Sequence, residues 1–241
     1  MKAFFVFFIS IIVLSVTCYG QPSDAGQELL DRQEQQVEAV YEAADVAKVI
    51  TGKIYALKQT YAINSQFYND KNPLKGTLVY DGVRFEDIEL QYDLSNQKII
   101  VLLATKNNKK YVSIDTDKVS WFSIDGADFT RVSGDSLMSG GIYQLAYTGD
   151  FSRLYVKRIK NRVQKVTDKI TIEFKPANFY YVVNSFGTFE ISGRKSLSEA
   201  FNDKVDVKKV LKPYDIGFST KHIEKSLLMA IPLLDANLMK E

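Results

Sequence analysis

The chain has 241 residues, 46% of them hydrophobic and 12% aromatic, which is enough apolar material for a packed core and excludes a wholly disordered protein. Its 31 lysine and arginine residues nearly balance 29 aspartate and glutamate residues, so the net charge of +2 gives no reason to expect a nucleic acid partner. A single cysteine, Cys18, excludes a disulfide framework, and a single histidine, His222, excludes a histidine pair for zinc.

The N-terminus has the order of a secretory signal peptide over residues 1–20. Lys2 gives a positive start, residues 3–16 form an apolar run, and the small residues Cys18 and Gly20 stand three and one positions before a cleavage point. We therefore predict cleavage after Gly20 and export of the mature protein. A retained membrane anchor is the alternative, but polar residues follow the run at once and no basic stop-transfer cluster appears.

Cleavage would leave a mature protein without a thiol, and therefore without a disulfide or a cysteine metal ligand. Its stability would have to come from packing, which a chain of this length can supply. Such a protein suits the periplasm or cell surface of a Gram-negative bacterium better than a small, disulfide-stapled extracellular module. A lipid-modified Cys18 is a further alternative, and Thr17 disfavours it because such a site needs a small residue before the cysteine.

Residues 21–50 are rich in Gln, Glu, Ala and Asp and allow two interpretations. Apolar residues recur there at loose helical spacing, which predicts a short helix. The polar composition fits a flexible tether equally well. Residues 51–241 are then expected to form a single β-rich domain that ends in helices.

From residue 54 onward, short β-branched and aromatic runs alternate with turn residues, the pattern of an antiparallel meander. The predicted strands are 76–80, 83–85, 88–94, 98–105, 111–114, 119–124, 129–132, 142–147, 154–159, 170–174, 180–183 and 188–191. Asp81-Gly82 predicts a hairpin turn, because this pair tolerates positive φ. The apolar stretch 99–104 predicts a central strand covered on both faces. A flexible loop is expected over 134–141.

Helical signals dominate the C-terminal part. Ser196 and Glu199 have the spacing of a capping box and predict a helix start. The helical pattern continues over 205–211, with apolar residues at 207, 210 and 211, until Pro213 stops it. A last helix is predicted over 221–239, kinked or shortened by Pro232. Together these patterns predict a mainly β fold, an antiparallel meander forming a barrel or sandwich with C-terminal helices, with α+β as the alternative.

Catalytic motifs are scarce. There is no G-x-S-x-G, no phosphate-binding glycine loop and no G-x-G-x-x-G after a strand. His222 is better interpreted as an exposed or helix-capping residue than as a catalytic base. Paired carboxylates remain, and the candidates are Glu86, Asp87, Glu89, Asp115, Asp117 and Asp125. These positions are typical of turns, so we predict no catalytic residue, no metal site and no cofactor.

Two further clusters have a structural and a functional interpretation. Arg158, Lys160 and Arg162 would share one face of a strand and could meet phosphate, lipid headgroups or an acidic partner, or they could protect an edge strand from pairing. The aromatic residues of 179–181 and 121–122 could line a binding groove, although they more often fill a core.

Several stretches carry a family resemblance. They are 76–83 (GTLVYDGV), 90–94 (LQYDL), 120–126 (SWFSIDG), 141–149 (GIYQLAYTG), 180–183 (YYVV), 195–197 (KSL) and 221–227 (KHIEKSL). Over most of residues 50–240 the chain resembles uncharacterised exported β-rich envelope proteins of Bacteroidetes-type bacteria. The resemblance implies a Gram-negative envelope setting and supplies no activity or site residues.

Three functions remain, in order of preference. The first is a non-enzymatic binding or accessory module of the cell envelope with a protein partner. The second is a periplasmic carrier of a lipid or other apolar ligand, which predicts a large apolar cavity. The third is a carboxylate-dependent hydrolase, which predicts two acidic side chains facing each other in a cleft. No integral membrane protein is expected after signal cleavage.

Overall fold

The computed structural model describes residues 52–56, 62–69, 72–105, 108–166, 169–202 and 204–238. These residues all belong to one compact unit of the chain, Ala43–Glu241. The signal peptide expected over 1–20 and the tether or helix expected over 21–50 lie outside the described residues.

Thirteen strands and three α-helices make up the described chain. The strands are β1 Gly52–Ile54, β2 Leu74–Tyr80, β3 Val83–Asp93, β4 Lys98–Thr105, β5 Asn108–Ile114, β6 Val119–Ile124, β7 Ala127–Val132, β8 Gly141–Thr148, β9 Ser152–Lys157, β10 Lys160–Val166, β11 Ile170–Pro176, β12 Phe179–Asn184 and β13 Gly187–Glu190. The helices are α1 Arg194–Ala200, α2 Val207–Leu211 and α3 Ile223–Leu238, with one-turn 3-10 helices at Thr116–Lys118 and Lys212–Tyr214.

Eleven of the described strands form one antiparallel sheet in the order β1-β5-β4-β3-β2-β6-β7-β8-β9-β12-β13, while β10 and β11 form a separate two-stranded sheet. The predicted mainly β, antiparallel fold with C-terminal helices is confirmed. The sheet stays open, with β1 at one end of the order and β13 at the other, and does not close into a barrel.

The turn chemistry follows the sequence closely. Asp81 and Gly82 have φ of 51° and 79° between β2 and β3, and Asp125 and Gly126 have φ of 53° and 70° between β6 and β7. These are the left-handed values that a two-residue hairpin turn of this kind requires. The predicted hairpin at Asp81-Gly82 is therefore confirmed.

The two strands expected at 83–85 and 88–94 are one continuous strand, β3. Phe85 pairs with Leu78 and Ile88 pairs with Gly76, so two residues of β3 oppose one residue of β2. Asp87 lies inside this β-bulge at a φ of 53°. A bulge bends a strand without ending it, which is why turn residues appear inside β3.

The first half of the sheet coils tightly, as the short link between β5 and β6 shows. Three strands separate β5 from β6, so a flat sheet would set them about 19 Å apart. The five residue steps from Ile114 to Val119 span about 17 Å even when fully extended, and this link contains a 3-10 turn. The sheet must therefore curl until the end of β5 meets the start of β6.

The space inside the coil is filled by aromatic and aliphatic side chains from β2 to β7. Tyr92, Phe122 and Phe129 are each 1% exposed or less. The rings of Phe122 and Phe129 stack with centroids 4.7 Å apart, and Tyr92 meets each of them edge-on at 5.5 Å. Tyr68, from the segment before β2, packs edge-on against Phe129, with ring centroids 5.0 Å apart.

The second half of the sheet is covered by the helices. Leu154, Val156 and Val182 of β9 and β12 belong to one buried cluster with residues of all three helices and of the loops between them. The buried stripe of α3 recurs every three to four residues, at Ile223, Ser226, Leu227, Ala230, Ile231, Leu234 and Asp235. This spacing turns one face of the helix toward the sheet.

Helix positions differ from expectation by a few residues. Helix α1 begins at Arg194, and Ser196 lies in its first turn, where its hydroxyl accepts from the backbone N–H of Gly193 at 3.1 Å. Ser196 is therefore the residue that reaches back to the cap, not the cap itself. Helix α3 runs from Ile223 through Pro232 to Leu238. None of the helices in the described ranges is long and apolar enough to cross a membrane.

Candidate functional site

An open groove of about 840 Å³ lies between the first half of α3 and the chain around β12 and β13. We call it the α3–β13 groove. Its lining residues are Pro176, Asn178, Phe179, Tyr180, Glu190, Ile191, Ser192, Thr220, Lys221, His222, Ile223, Glu224, Lys225, Leu228 and Met229. The groove therefore combines residues from three separate parts of the sequence.

Exposed apolar side chains concentrate in this groove. Phe179, Leu228 and Met229 are 42%, 39% and 45% exposed. Leu228 and Met229 lie outside the buried stripe of α3, so packing against the sheet does not account for them. Large apolar groups grouped at a concave surface are typical of a binding site.

Polar groups surround the apolar part of the groove. Lys221, His222 and Lys225 are exposed at the start of α3, and Glu190 ends β13 on the other side. Because Glu224 is paired with Arg158, the two lysines and Glu190 leave a small positive excess around the groove. This balance favours a ligand with apolar and acidic groups.

Glu224 lines the groove and is paired with the buried side chain of Arg158. Arg158 Nη1 donates to Glu224 Oε2 at 2.6 Å and Nη2 donates to Oε1 at 2.5 Å, while Tyr180 donates its hydroxyl to Oε2 at 3.2 Å. Burial opposes ionisation of Glu224, but the hydrogen bonds and charge of Arg158 outweigh it, so the pKa of Glu224 lies below its ordinary value of 4.5. Glu224 is thus an ionised, paired carboxylate.

Arg158 also joins the two halves of the domain. It lies in the two-residue link between β9 and β10 and donates from Nε to Gln144 of β8 at 2.8 Å. Its backbone carbonyl accepts from Gln97 Nε2 at 2.9 Å, in the turn between β3 and β4. One residue therefore connects the coiled half of the sheet, the helix-covered half and α3.

The structure does not bring Arg158, Lys160 and Arg162 together on one surface. Arg158 is 8% exposed and occupied by Glu224 and Gln144. Lys160 is half-buried, donates from Nζ to the carbonyls of Ser65 and Phe67, and has a pKa lowered by burial. Arg162 alone is exposed, on β10. Arg158 departs from the expected shared face because it continues the buried side of β9, after Leu154 and Val156, whereas the other two residues belong to β10.

The candidate carboxylates lie in turns and surface pairs. Glu86 accepts from Arg84 at 2.7 Å, and Asp117 accepts from Arg131 at 2.5 Å. Asp115 accepts from the backbone N–H of Asp117 at 3.0 Å and caps a 3-10 turn. Such local pairing is the ordinary structural use of acidic turn residues.

Two buried carboxylates that sequence reasoning missed hold the structure together. Asp93 is fully buried and accepts from the side chains of Tyr55, Gln66 and Asn96 at 2.6–2.8 Å. Asp235 of α3 is also buried and accepts from Ser152 Oγ of β9 at 2.6 Å. Both follow apolar residues in sequence, where a carboxylate is easily assigned to the exposed face of a strand or helix.

Within the described ranges, no three histidine, cysteine, aspartate or glutamate side chains lie close enough together to hold a metal ion. Comparison of the chain with models of protein families, with curated proteins and with solved structures finds no match. The resemblance to exported envelope proteins therefore stays a prediction. The composition and geometry of the α3–β13 groove are the strongest guide to function.

Proposed function

We propose that this protein is an exported, non-enzymatic binding or accessory module of the cell envelope, which holds a segment of a partner envelope protein in the α3–β13 groove. The observation that carries the proposal is the group of exposed apolar side chains, Phe179, Leu228 and Met229, in a groove with cations at its rim. Apolar anchors give a short segment its affinity, and charges at the rim select its sequence and orientation.

The apolar and charged residues of the groove indicate which residue types the partner segment contains. One or two large apolar side chains of the segment contact Phe179 and Met229, and an acidic side chain approaches Lys221 or Lys225. A basic segment is disfavoured, because like charges across an interface repel. The partner is therefore a peptide segment that is apolar and acidic.

The carrier alternative is less well supported. A carrier of an apolar ligand needs a large, enclosed apolar cavity. The space inside the coiled sheet is instead occupied by packed rings such as Tyr92, Phe122 and Phe129, with centroid distances of 4.7–5.5 Å. The α3–β13 groove is open to solvent and partly polar, which suits a peptide better than an acyl chain.

The hydrolase alternative is also less well supported. Carboxylate catalysis of the general-acid kind needs one acidic group with a raised pKa in a cleft. Glu224, in the groove, has a pKa held below its ordinary value by Arg158 despite its burial. It stays ionised at neutral pH and cannot serve as a general acid there.

The proposal is tested by panning a displayed library of random peptides against the full chain. We expect enrichment of apolar, acidic peptides, and binding that Met229→Glu weakens at least tenfold, because the new carboxylate replaces an apolar contact and repels the acidic residue. Val83→Glu is the matched control, since Val83 is 44% exposed at a distant hairpin turn. It should leave peptide binding unchanged.

Two results would contradict the proposal. One is the absence of any enriched peptide, and the other is equal binding by the Met229→Glu and Val83→Glu variants. Native mass spectrometry of the purified protein tests the carrier alternative. Stoichiometric bound lipid without peptide binding would support a carrier function.

A further inference from the structure

The hairpin formed by β10 and β11 carries exposed apolar side chains near its tip. Val166 and Ile170 are 69% and 51% exposed. They are directly paired across the two strands, so their side chains lie next to each other on one face. An aliphatic pair that is this exposed contributes little to the core of the protein.

Basic residues surround this pair. Lys165 and Lys169 are the exposed neighbours of Val166 and Ile170 in sequence, and Arg162 lies further down β10. Over residues 160–176 the chain has five basic residues, Lys160, Arg162, Lys165, Lys169 and Lys175, against two acidic ones, Asp168 and Glu173. Lys165 and Lys175 lie 3.1 and 3.8 Å from Glu173, and Lys160 is held by backbone carbonyls. The five basic and two acidic residues still give the hairpin a net charge of +3 in a chain that is almost neutral overall.

The base of the hairpin is held firmly. Phe174 is 1% exposed, and its backbone N–H and carbonyl both bond to the side chain of Asn64, at 2.7 and 2.8 Å. Ile63 donates its backbone N–H to the carbonyl of Ile172 at 2.9 Å. The hairpin is therefore attached to the domain at Ile172 and Phe174, and its exposed pair lies beyond this attachment.

We infer that the β10–β11 hairpin docks the protein onto an anionic lipid bilayer, with Val166 and Ile170 inserted at the interface and Lys165 and Lys169 among the headgroups. Apolar insertion combined with lysines near anionic headgroups is a combination that holds peripheral proteins to membranes. Neither component suffices alone, because two aliphatic side chains bury little area and lysine attraction is screened by salt.

A bilayer fits this surface better than a protein partner does. A stable protein interface buries about 800 Å² on each partner. Two aliphatic side chains cover a small part of such an area. Lipids can close around Val166 and Ile170, whereas a folded partner would need a matching pocket.

The inference is tested with sedimentation of the full chain with vesicles of phosphatidylcholine, alone or mixed with an equal amount of phosphatidylglycerol. Wild type should bind the anionic vesicles more strongly, and the difference should shrink at high salt. The double variant Val166→Ser/Ile170→Ser should lower binding to anionic vesicles about tenfold. The matched control, Val83→Ser/Leu137→Ser, alters two exposed aliphatic residues elsewhere and should bind like wild type.

Charge is tested separately. Lys165→Gln/Lys169→Gln should remove the preference for anionic vesicles, whereas Lys208→Gln/Lys209→Gln on α2 should retain it.

Equal binding by the Val166→Ser/Ile170→Ser variant and its control, or no binding of wild type to anionic vesicles, would overturn the inference. Peptide binding in the α3–β13 groove is unaffected by these variants, so the two proposals can fail independently. Unchanged thermal unfolding shows that the variants remain folded.

Discussion

Arg158 and Glu224 form an ion pair with two hydrogen bonds of 2.6 and 2.5 Å across 66 residues of sequence. The pair connects the first turn of α3 to the two-residue link between β9 and β10. It is mostly buried on the arginine side and about one-third exposed on the glutamate side. The position of α3 over the sheet, and with it the shape of the α3–β13 groove, depends on this contact.

Replacing Arg158 by Met should destabilise the protein. The substitution leaves Glu224 without its cation and removes the shorter of two hydrogen bonds that Gln144 Oε1 accepts, the one from Arg158 at 2.8 Å, leaving the one from Tyr68 at 3.5 Å. Removing one partner of such an ion pair should lower the free energy of unfolding by about 2–3 kcal/mol. Arg162→Met is the control, and because Arg162 is exposed it should change stability by less than about 0.5 kcal/mol. Urea denaturation measures both. A loss below about 1 kcal/mol for Arg158→Met would show that the pair contributes little.

The same pair makes stability depend on pH. Because the pKa of Glu224 is lower in the folded protein than its ordinary value of 4.5, the stabilisation is complete above pH 4.5 and is lost as the pH falls through the folded pKa. Glu224→Gln should therefore be less stable than wild type at neutral pH, and the difference should shrink on acidification below pH 4.5. Thermal unfolding across this range measures it. A difference that stays constant with pH would contradict the assignment.

Asp235 should contribute to the docking of α3. It accepts from the backbone N–H and hydroxyl of Ser152 at 3.3 and 2.6 Å and from the Tyr147 hydroxyl at 3.1 Å. Asp235→Asn removes the charge that these three donors surround and should cost about 1–3 kcal/mol in unfolding free energy. Asp150→Asn, at an exposed bend close in sequence to Ser152, should be nearly neutral. Equal effects of the two variants in chemical denaturation would argue against a specific role.

Two glycines should respond differently to alanine. A Cβ at Gly76 would overlap the carbonyl oxygen of Ser123 on the neighbouring strand and approach Leu90 to 3.1 Å. A Cβ at Gly82 would meet open space, and the cost there is the strain of a φ of 79°, about 1 kcal/mol. We expect Gly76→Ala to cost more, about 2 kcal/mol or above, because backbone must shift. Melting temperatures in the opposite order would disprove the close approach.

Strand positions followed from sequence because alternation and turn residues are local signals. Strand β6 occupies the predicted range 119–124, and Asp81-Gly82 forms the predicted turn. The bulge at Asp87 could not be predicted, because its residues are the same ones that end a strand elsewhere. The pairing of β6 with β2 also depends on coiling of the whole sheet, which no local pattern reports.

The candidate site was less accessible to sequence reasoning. Its walls come from residues 176–180, 190–192 and 220–229, which only the folded sheet and α3 bring together. The aromatic residues 179–181 are expected mainly in the core, and 42% exposed Phe179 departs from that expectation. Nothing local separates exposed Leu228 from buried Leu227. Arg158 belongs to a basic run in sequence, and that run hides its second property. It continues the alternation by which Leu154 and Val156 of β9 face the interior, and there it meets Glu224.

The open sheet has a consequence for behaviour at high protein concentration. Any sheet with two ends offers backbone groups that can pair with another copy of the chain, which is a route to fibres. Here the terminal strands, β1 and β13, have three and four residues, whereas β3 near the middle has eleven. Strands this short give an incoming chain few hydrogen bonds. The protein can therefore keep an unclosed sheet and still resist polymerisation.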